Sequence, residues 1–331
     1  MAHALSVSPL RWHVPVASAR ITGVAICPKH ISEHSFMTLI SALTGLAAWI
    51  NSHALWPNLP VWAYAVITLL DTHLTTTSVT LYLHRCQTHR AIAFAPPVAH
   101  LMRLWLWLRT GMPTREWVAV HRCHHAYVET DKDPHSPIVY GIWRVFFLGT
   151  GLYHRAAHNQ QIIEQFGKGT PDDALENVYD RLAVLGPTLT LFMNLWMFGT
   201  AGFPMWLVEM AWIPFFAAGV INGLGHYWGY RNFETPDAST NLPGMHWSLL
   251  TAGEALHNNH HHIQNAARFS MKSGEIDPGY LYFSILKAVG LASQRRDVDR
   301  YVADGPRLER PAAAPSLEAV SQMDVTAVGQ D

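Results

Sequence analysis

The Lys and Arg residues of this chain are confined to three blocks, and the two gaps between the blocks constrain the fold more than any other feature. All 23 of them lie in residues 1–35, 84–181 and 231–331. The gap 36–83 contains one acid, Asp71, and the gap 182–230 contains one acid, Glu209. A helix rises about 1.5 Å per residue and a bilayer core is about 30 Å thick, so one span needs roughly 20 residues. Each gap therefore has room for two membrane spans and a turn.

The two gaps predict an all-α integral membrane protein with four transmembrane helices in two hairpins and a helical cytosolic cap. The helices are expected at about 36–50, 60–83, 183–199 and 205–226. The turns at 51–60 and 199–204 contain Pro or Gly and carry no Lys or Arg. By the positive-inside rule these turns face outward, and both termini face the cytoplasm.

This pattern divides the chain into six predicted segments. They are an N-terminal cytosolic segment at 1–35, the first hairpin at 36–83, a first part of the cap at 84–181, the second hairpin at 182–230, a second part of the cap at 231–303 and a disordered tail at 304–331. Charged residues are 14% of the chain, against about 25% in soluble proteins. The net charge of −1 gives no reason to expect a nucleic-acid partner. Three cysteines, an odd and sparse set, argue against a disulfide framework.

Four histidine-bearing motifs, here called boxes, lie on the predicted cytoplasmic side. The motifs are HRCQTHR with His84 and His89, HRCHH with His121, His124 and His125, NGLGHYWG with Asn222 and His226, and GEALHNNHH with His257, His260 and His261. Neutral imidazole is the commonest metal ligand among side chains. Nine imidazoles are too many for one ion and fit two, but imidazole suits Zn, Cu, Fe and Ni alike, so ligand type leaves the metal open.

Spacing indicates how each box presents its ligands. Helix positions i, i+3 and i+4 share a face, which aligns the histidines of both HxxHH boxes and also Asn222 with His226. His84 and His89 are five residues apart, about 140° around an ideal helix. They converge only if the helix ends or distorts there.

Other polar residues near the boxes are open to two interpretations. Four acids could orient the imidazoles or could be solvated surface charges: Glu129, Asp131, Asp133 and Glu254. Cys86 and Cys123 are interpreted as spacers. The remaining twelve histidines, His135 and His262 among them, are expected not to bind metal. Asp71, in mid-span, is expected to have a structural role, bonded to a neighbour such as Thr75.

The boxes and their flanks resemble the membrane fatty acid desaturases of the stearoyl-CoA desaturase type, and bacterial Δ9 acyl desaturases most of all. The likeness runs from about 60 to 290 and includes REWVAVHRCHHAYVETDKDPHSP, NGLGHYWGYRNF and GEALHNNHH. It implies a four-helix stem under a cytosolic cap that holds two irons. The implied ligands are the nine box histidines, with Asn222 acting through a bound water and Trp117 lying near the acyl chain.

The resemblance also implies the reaction, which is O2-dependent insertion of a double bond, at Δ9, into an acyl chain carried on phospholipid, CoA or another carrier. Electrons would come from a ferredoxin or cytochrome b5-like donor with its reductase. The implied location is the bacterial inner membrane, with the active site on the cytoplasmic side. One departure leaves the carrier open, because animal acyl-CoA enzymes have an arginine where this chain has Ala119.

Two rival functions remain at this stage. The same scaffold carries out acyl hydroxylation, acetylenic bond formation and oxidative decarboxylation, which differ in substrate placement. A rival from another class is a membrane metal-binding or transport protein. It would need polar ligands along the spans, where only Asp71, His73 and Glu209 qualify.

Overall fold

A computed structural model describes residues 33–295 of the chain, with side chains from residue 35 onward. The predicted tail at 304–331 and nearly all of the predicted N-terminal segment at 1–35 lie outside the described residues. The chain divides into two compact units, residues 1–46 and 47–331. The first unit contributes the beginning of one long helix, and the second contains all the remaining described elements.

The described residues form thirteen α-helices, and one short pair of strands. The helices are α1 (Glu33–His53), α2 (Val61–Ser78), α3 (Pro96–Thr110), α4 (Thr114–Tyr127), α5 (Pro137–Tyr140), α6 (Ile142–Ala157), α7 (Gln160–Phe166), α8 (Ala174–Arg181), α9 (Leu185–Phe198), α10 (Gly202–Ile213), α11 (Met245–Leu250), α12 (His257–His262) and α13 (Pro278–Ala288). The strands β1 (Ile92–Phe94) and β2 (Ala292–Gln294) pair antiparallel. Two π-helical segments, Val79–Thr88 and Pro214–Ile221, continue α2 and α10.

Within residues 33–295, two helical stretches are long and apolar enough to cross a membrane, compared with the four spans expected. They are Ser35–His53 and the 42-residue stretch Leu185–His226, which includes both helices predicted for the second hairpin. The helix predicted at 60–83 does form, but its buried face is rich in hydroxyl side chains, including Thr68, Thr72 and Thr75. These residues lower its hydropathy.

The two predicted turns lie against each other at one end of the helices. The backbone N–H of Leu55 donates to the carbonyl of Trp196 at 3.0 Å, and that of Trp56 donates to Met197 at 2.7 Å. The Asn51 side chain accepts from the Thr200 N–H at 2.8 Å. The box histidines follow α2 and α10 in the chain, at the other end of these helices. The fold therefore separates the turns from the boxes.

A buried set of charged and polar side chains, here called the ion cluster, joins α2, α3, α9 and α10. The Arg109 guanidinium contacts Asp71 at 2.5 Å and Glu209 at 3.1 Å. The Asn194 amide donates to both oxygens of Glu209, at 3.1 and 2.9 Å. Asp71 thus has the structural role expected of it, but its partner is Arg109. Thr75 donates only to the Asp71 backbone carbonyl, at 2.9 Å.

Candidate metal centre

The structure brings all nine box histidines together in two groups. The first, called group one, is His84, His89, His121, His125 and His260, and the second, called group two, is His124, His226, His257 and His261. Within each group the nitrogens that could bind an ion all lie within 4.8 Å of one another. Each group mixes residues from different boxes, so neither group exists until the cap has folded.

The first box converges because its helix changes type. The α2 helix becomes π-helical at Val79, and the N–H of His89 donates to the carbonyl of His84 at 3.1 Å. A π-helix closes its hydrogen bonds between residues five apart, and such segments are frequent at functional sites. The two rings consequently lie 4.8 Å apart, centroid to centroid. The distortion that the spacing required is present.

The other boxes use shorter elements. His121, His124 and His125 lie in the last two turns of α4, and the fourth box forms the single short helix α12. The Asn222–His226 pair was expected on a continuous helix, and that expectation is wrong. The π-helical segment ends at Ile221, and His226 closes a separate 3₁₀ turn, Leu224–His226.

The spacing of the nitrogens fits metal coordination. The Nε2 atom of His260 lies 3.1 Å from that of His84 and 3.0 Å from that of His125, and His257 and His226 are also 3.0 Å apart through Nε2. Metal–imidazole bonds are about 2.1 Å long, so two ligands at right angles on one ion have nitrogens about 3.0 Å apart. The donor set therefore fits an ion in each group.

Burial keeps these rings in the form that binds metal. Six box histidines have a pKa well below the usual range, because burial and then the neighbouring imidazoles penalise the charged form: His89, His121, His125, His257, His260 and His261. A neutral imidazole keeps a lone pair on one nitrogen. Six ring nitrogens of these groups are buried without a hydrogen-bond partner, and three of them are Nε2 atoms, those of His89, His124 and His261. These three remain available to a metal ion.

Four carboxylates behind the rings fix the orientation of the imidazoles. The Nδ1–H groups of four histidines donate to them: His84 to Glu254 at 2.8 Å, His124 to Asp133 at 3.0 Å, His226 to Glu129 at 3.3 Å and His261 to Asp237 at 2.9 Å. Such a bond selects the tautomer with the lone pair on Nε2, and it makes the ring a better ligand. In two of the four, the Nε2 atom turned inward is one of the unpartnered nitrogens.

The carboxylates are themselves held in place. Asp133 accepts backbone N–H groups from Glu129 and His135, at 2.9 and 3.1 Å. Burial alone would raise the pKa of Asp133, but the adjacent His124 more than offsets this and lowers the pKa below its usual value. Glu254 has a lowered pKa for the same balance of reasons, with His84 beside it, and it also accepts from the Thr80 hydroxyl.

The acids expected from the sequence divide cleanly. Glu129, Asp133 and Glu254 contact box histidines, whereas Asp131 is exposed. Asp237 was missed, because it lies 11 residues after His226 and 20 before His257, outside every box. In the sequence, only its location in the predicted cap segment 231–303 suggested that Asp237 could contact a histidine.

The residues set aside as non-ligands also divide. His262 is exposed and stacks on Phe233, with the ring centroids 4.0 Å apart. His135 is buried, and a potential ligand group of its own comprises His124, Asp133 and His135. Burial lowers the pKa of His135 to about 3. Cys86 and Cys123 are buried free thiols in none of these groups.

Two adjoining cavities lead to group one. The smaller, about 70 Å³, is lined by His84 and His121, and the larger, about 150 Å³, is lined mainly by apolar side chains such as Met210 and Ile213. Both share four lining residues: Trp117, Tyr153, Ala217 and Asn222. The larger cavity also reaches Arg109 and Glu209 of the ion cluster.

Trp117 and Asn222, both expected near the reaction, therefore lie where cavity and histidines meet. Trp117 stacks on His121 with ring centroids 5.0 Å apart and planes 13° from parallel. Asn222 is half-buried at the end of the second π-helical segment. Ala119 is completely buried.

Two groups of buried histidines able to hold metal ions, beside an apolar cavity, place this chain in the class of helical proteins with histidine-rich metal sites. Comparison with known proteins is more specific. The family model described as fatty acid desaturase matches residues 60–269, which is more than half of the chain. The chain belongs to the fatty acid desaturase family and is an oxidoreductase, as the resemblance predicted.

Curated relatives agree on the family and differ in specificity. The sn-1 stearoyl-lipid 9-desaturase of Anabaena variabilis is 28% identical over 229 residues, covering 67% of this chain and 79% of that protein. The acyl-CoA C20 Delta5-desaturase of Anemone leveillei is 32% identical over 65% of this chain and 67% of its own. The Delta-9 acyl-lipid desaturase 1 of Arabidopsis thaliana is 28% identical over 65% and 69%, respectively.

Proposed function

We propose that this chain is an O2-dependent di-iron desaturase that inserts one double bond, at Δ9, into an acyl chain carried on phospholipid or CoA. The observation that carries the proposal is the meeting of two groups of buried histidines with an apolar cavity. An unactivated methylene has no acidity for a base to exploit, and two irons bound here would supply the oxidising power that its C–H bonds require.

The five histidines of group one and the four of group two are the proposed iron ligands, with Asn222 acting through a water. Glu129, Asp133, Asp237 and Glu254 hold the Nδ1 protons of one histidine each, which leaves Nε2 of that ring free to bind metal. These contacts support four members of the ligand set, because a carboxylate that accepts the Nδ1–H leaves the lone pair of the ring on Nε2.

The protein's contribution to the reaction is to position the chain and exclude water. Along α10 and its π-helical extension, the cavity is lined at Met210, Ile213 and Ala217, and by Asn222 directly after the extension ends. These residues line a path from the larger cavity to the smaller one, which is lined by His84 and His121. Trp117, pressed against His121, is the proposed substrate-binding residue that holds two methylenes beside the metal centre.

We further propose that the chain crosses the membrane four times and that both termini and the metal centre are cytoplasmic, in a bacterial inner membrane. The two predicted turns pair with each other at one end of the helices, as two hairpins inserted side by side would require. The Lys and Arg residues all lie outside the two hairpins, in residues 1–35, 84–181 and 231–331.

The Δ9 position rests on the relatives from Anabaena and Arabidopsis, whose names specify 9-desaturases, and the Delta5 enzyme of Anemone is the alternative. The test is expression in a bacterium that makes saturated chains, followed by mass spectrometry of phospholipids and acyl-CoA with double bonds located. We expect one new Δ9 double bond with the native chain and none with His260→Ala. An alcohol, a terminal alkene or an unchanged profile would refute the proposal.

A further inference from the structure

Desaturation by O2 requires two electrons that neither substrate provides. The acyl chain loses two hydrogens as its C–C double bond forms, and O2 needs four electrons and four protons to become two waters. Two electrons and two protons therefore come from outside, and this inference rests on the proposed function. A protein that carries one electron at a time must approach the histidines closely, so the question is which face it uses.

Two surface depressions of the described cap are large enough to receive part of a partner. One, about 610 Å³, has box histidines in its floor, namely His89, His125 and His261, and we call it the histidine depression. Its other lining residues are Thr88, Arg122, Ala126 and His262–Asn265. The second, about 430 Å³, is lined by residues such as Tyr127, Lys132 and Arg155, and none of its lining residues is a box histidine. The two depressions are similar in size, but only the histidine depression reaches the box histidines.

The histidine depression approaches the site from a different side than the substrate cavity. The cavity touches His84 and His121 of group one, whereas the depression touches His89 and His125 of that group and His261 of group two. A donor seated in the depression would contact rings of both groups. It would leave the acyl chain undisturbed.

The charge of this face selects the partner. None of the residues lining the histidine depression is acidic, and Arg122 is among them. The Arg122 guanidinium donates to the carbonyls of Gln87 at 2.8 Å and Lys168 at 2.8 Å, which ties the end of the first π-helical segment to the turn after α7. Two exposed cations, Arg90 and Lys168, lie just after that segment and in that turn. Cations beside a depression that has no acidic lining residue attract an acidic protein surface.

We propose that the histidine depression is the docking face for an acidic one-electron carrier protein, with an iron–sulfur or haem group at its contact surface. Arg90 and Lys168 steer the partner, and the 262–265 segment forms the opposite wall. Complementary charge raises the association rate and is weakened by salt. Docking therefore depends on ionic strength, whereas the chemical step at the metal centre does not.

The test separates docking from chemistry by reducing the metal-loaded enzyme in two ways. In one arm, a [2Fe–2S] ferredoxin with its NADPH reductase, or a soluble cytochrome b5 with its own reductase, drives turnover at increasing donor concentration. In the other arm, dithionite reduces the enzyme, and a single turnover begins when O2 is added. The variants are Arg90→Glu with Lys168→Glu, and separately Gln264→Glu, an exposed residue in the depression. Lys132→Glu, an exposed cation in the other depression, is the matched control.

At low salt, we expect the donor concentration for half-maximal rate to rise at least tenfold in the double variant and severalfold in Gln264→Glu. It should stay unchanged in Lys132→Glu, and all variants should match the native chain in the dithionite arm. A donor dependence that is unaltered in both depression variants, or altered only in Lys132→Glu, would overturn the docking face. No double bond from the native chain in the dithionite arm would refute the proposed function instead.

Discussion

The histidine groups and the ion cluster are both buried polar regions, yet their polar atoms are satisfied in opposite ways. In the ion cluster, Arg109 donates to two carboxylates and Asn194 donates to both oxygens of Glu209. One oxygen, Oδ2 of Asp71, has no partner. In the histidine groups, six buried ring nitrogens have none. A buried polar atom left unsatisfied costs about 1–3 kcal/mol, so a ligand bound to the unpartnered Nε2 atoms would stabilise the histidine region.

The difference separates a region that binds something from one that holds helices together. Four carboxylates turn histidine lone pairs inward, whereas Arg109 occupies the carboxylates of the ion cluster. A membrane metal transporter would need acids along its spans that are open to a passing ion. Asp71 and Glu209, two of the three candidates for such a role, are instead bound by one guanidinium.

The largest effect is expected from replacing His260, which contacts two other histidines of group one. His260 lies 3.1 Å from His84 and 3.0 Å from His125 through Nε2. We expect His260→Ala to lower turnover by at least 1,000-fold and to lower the iron bound per chain, with the protein still inserted in membranes. Turnover and iron content of the purified variant are the measurements.

The neighbouring His262 provides the matched control for that change. It is exposed and stacks on Phe233, outside both groups. His262→Ala should keep its iron and stay within about twofold of native turnover in the dithionite single-turnover assay. If both variants lost turnover and iron equally, removal of any imidazole from α12 would be sufficient for the loss. His260 would then have no special place in group one.

The second effect is on stability and belongs to the ion cluster. Arg109→Met leaves two buried carboxylates without their cation, and breaking a buried pair on one side costs about 3–5 kcal/mol. Replacing all three charges together, as Asp71→Leu, Arg109→Met and Glu209→Leu, should be nearly neutral, because apolar groups of similar volume often replace a buried ion cluster without loss. Thermal unfolding in detergent distinguishes the two. If Arg109→Met were as stable as the native chain, the ion cluster would not hold the helices together.

The sequence predicted which histidines lie together better than it predicted the contacts around them, and the reasons are physical. Spacing of three and four residues predicts which histidines of α4 and α12 share a face, because helix geometry is local. The five-residue spacing of His84 and His89 predicted a distorted helix, but it did not predict that the distortion would be a π-helix. Arg109 and its carboxylates lie 38 and 100 residues apart in the chain, so their pairing depends on how four helices pack.

The number of membrane-spanning helices was also only partly predictable from the sequence. Charge gaps predicted four membrane helices, and helices form near all four positions. Among the described residues, however, only Ser35–His53 and Leu185–His226 have the length and hydropathy of a membrane span. The second predicted helix buries a run of threonines, and such a run is invisible to a count of charges. Resemblance to the desaturases, carried by whole motifs, was confirmed where local patterns were incomplete.

The third effect tests whether the carboxylates orient the rings. Asp133→Asn keeps the shape but weakens the acceptor for the Nδ1–H of His124, and changes of this kind reduce metal affinity or activity about 10- to 100-fold. Asp131→Asn, two residues earlier and exposed, is the control and should change neither. Iron-binding titrations of both variants are the measurement. A loss in Asp131→Asn as large as in Asp133→Asn would show that net charge matters and orientation does not.

The smallest effect concerns the wall between cavity and histidines. Trp117 stacks on His121 at 5.0 Å and lines both cavities. Aromatic pairs contribute about 0.5–1.5 kcal/mol beyond the area they bury, so Trp117→Phe should lower turnover about two- to tenfold and retain its iron. Trp143→Phe on α6, where the indole is exposed, should leave turnover unchanged. If Trp117→Phe lost iron as His260→Ala does, Trp117 would be part of the structure that holds the metal. Its proposed place on the substrate side would then be wrong.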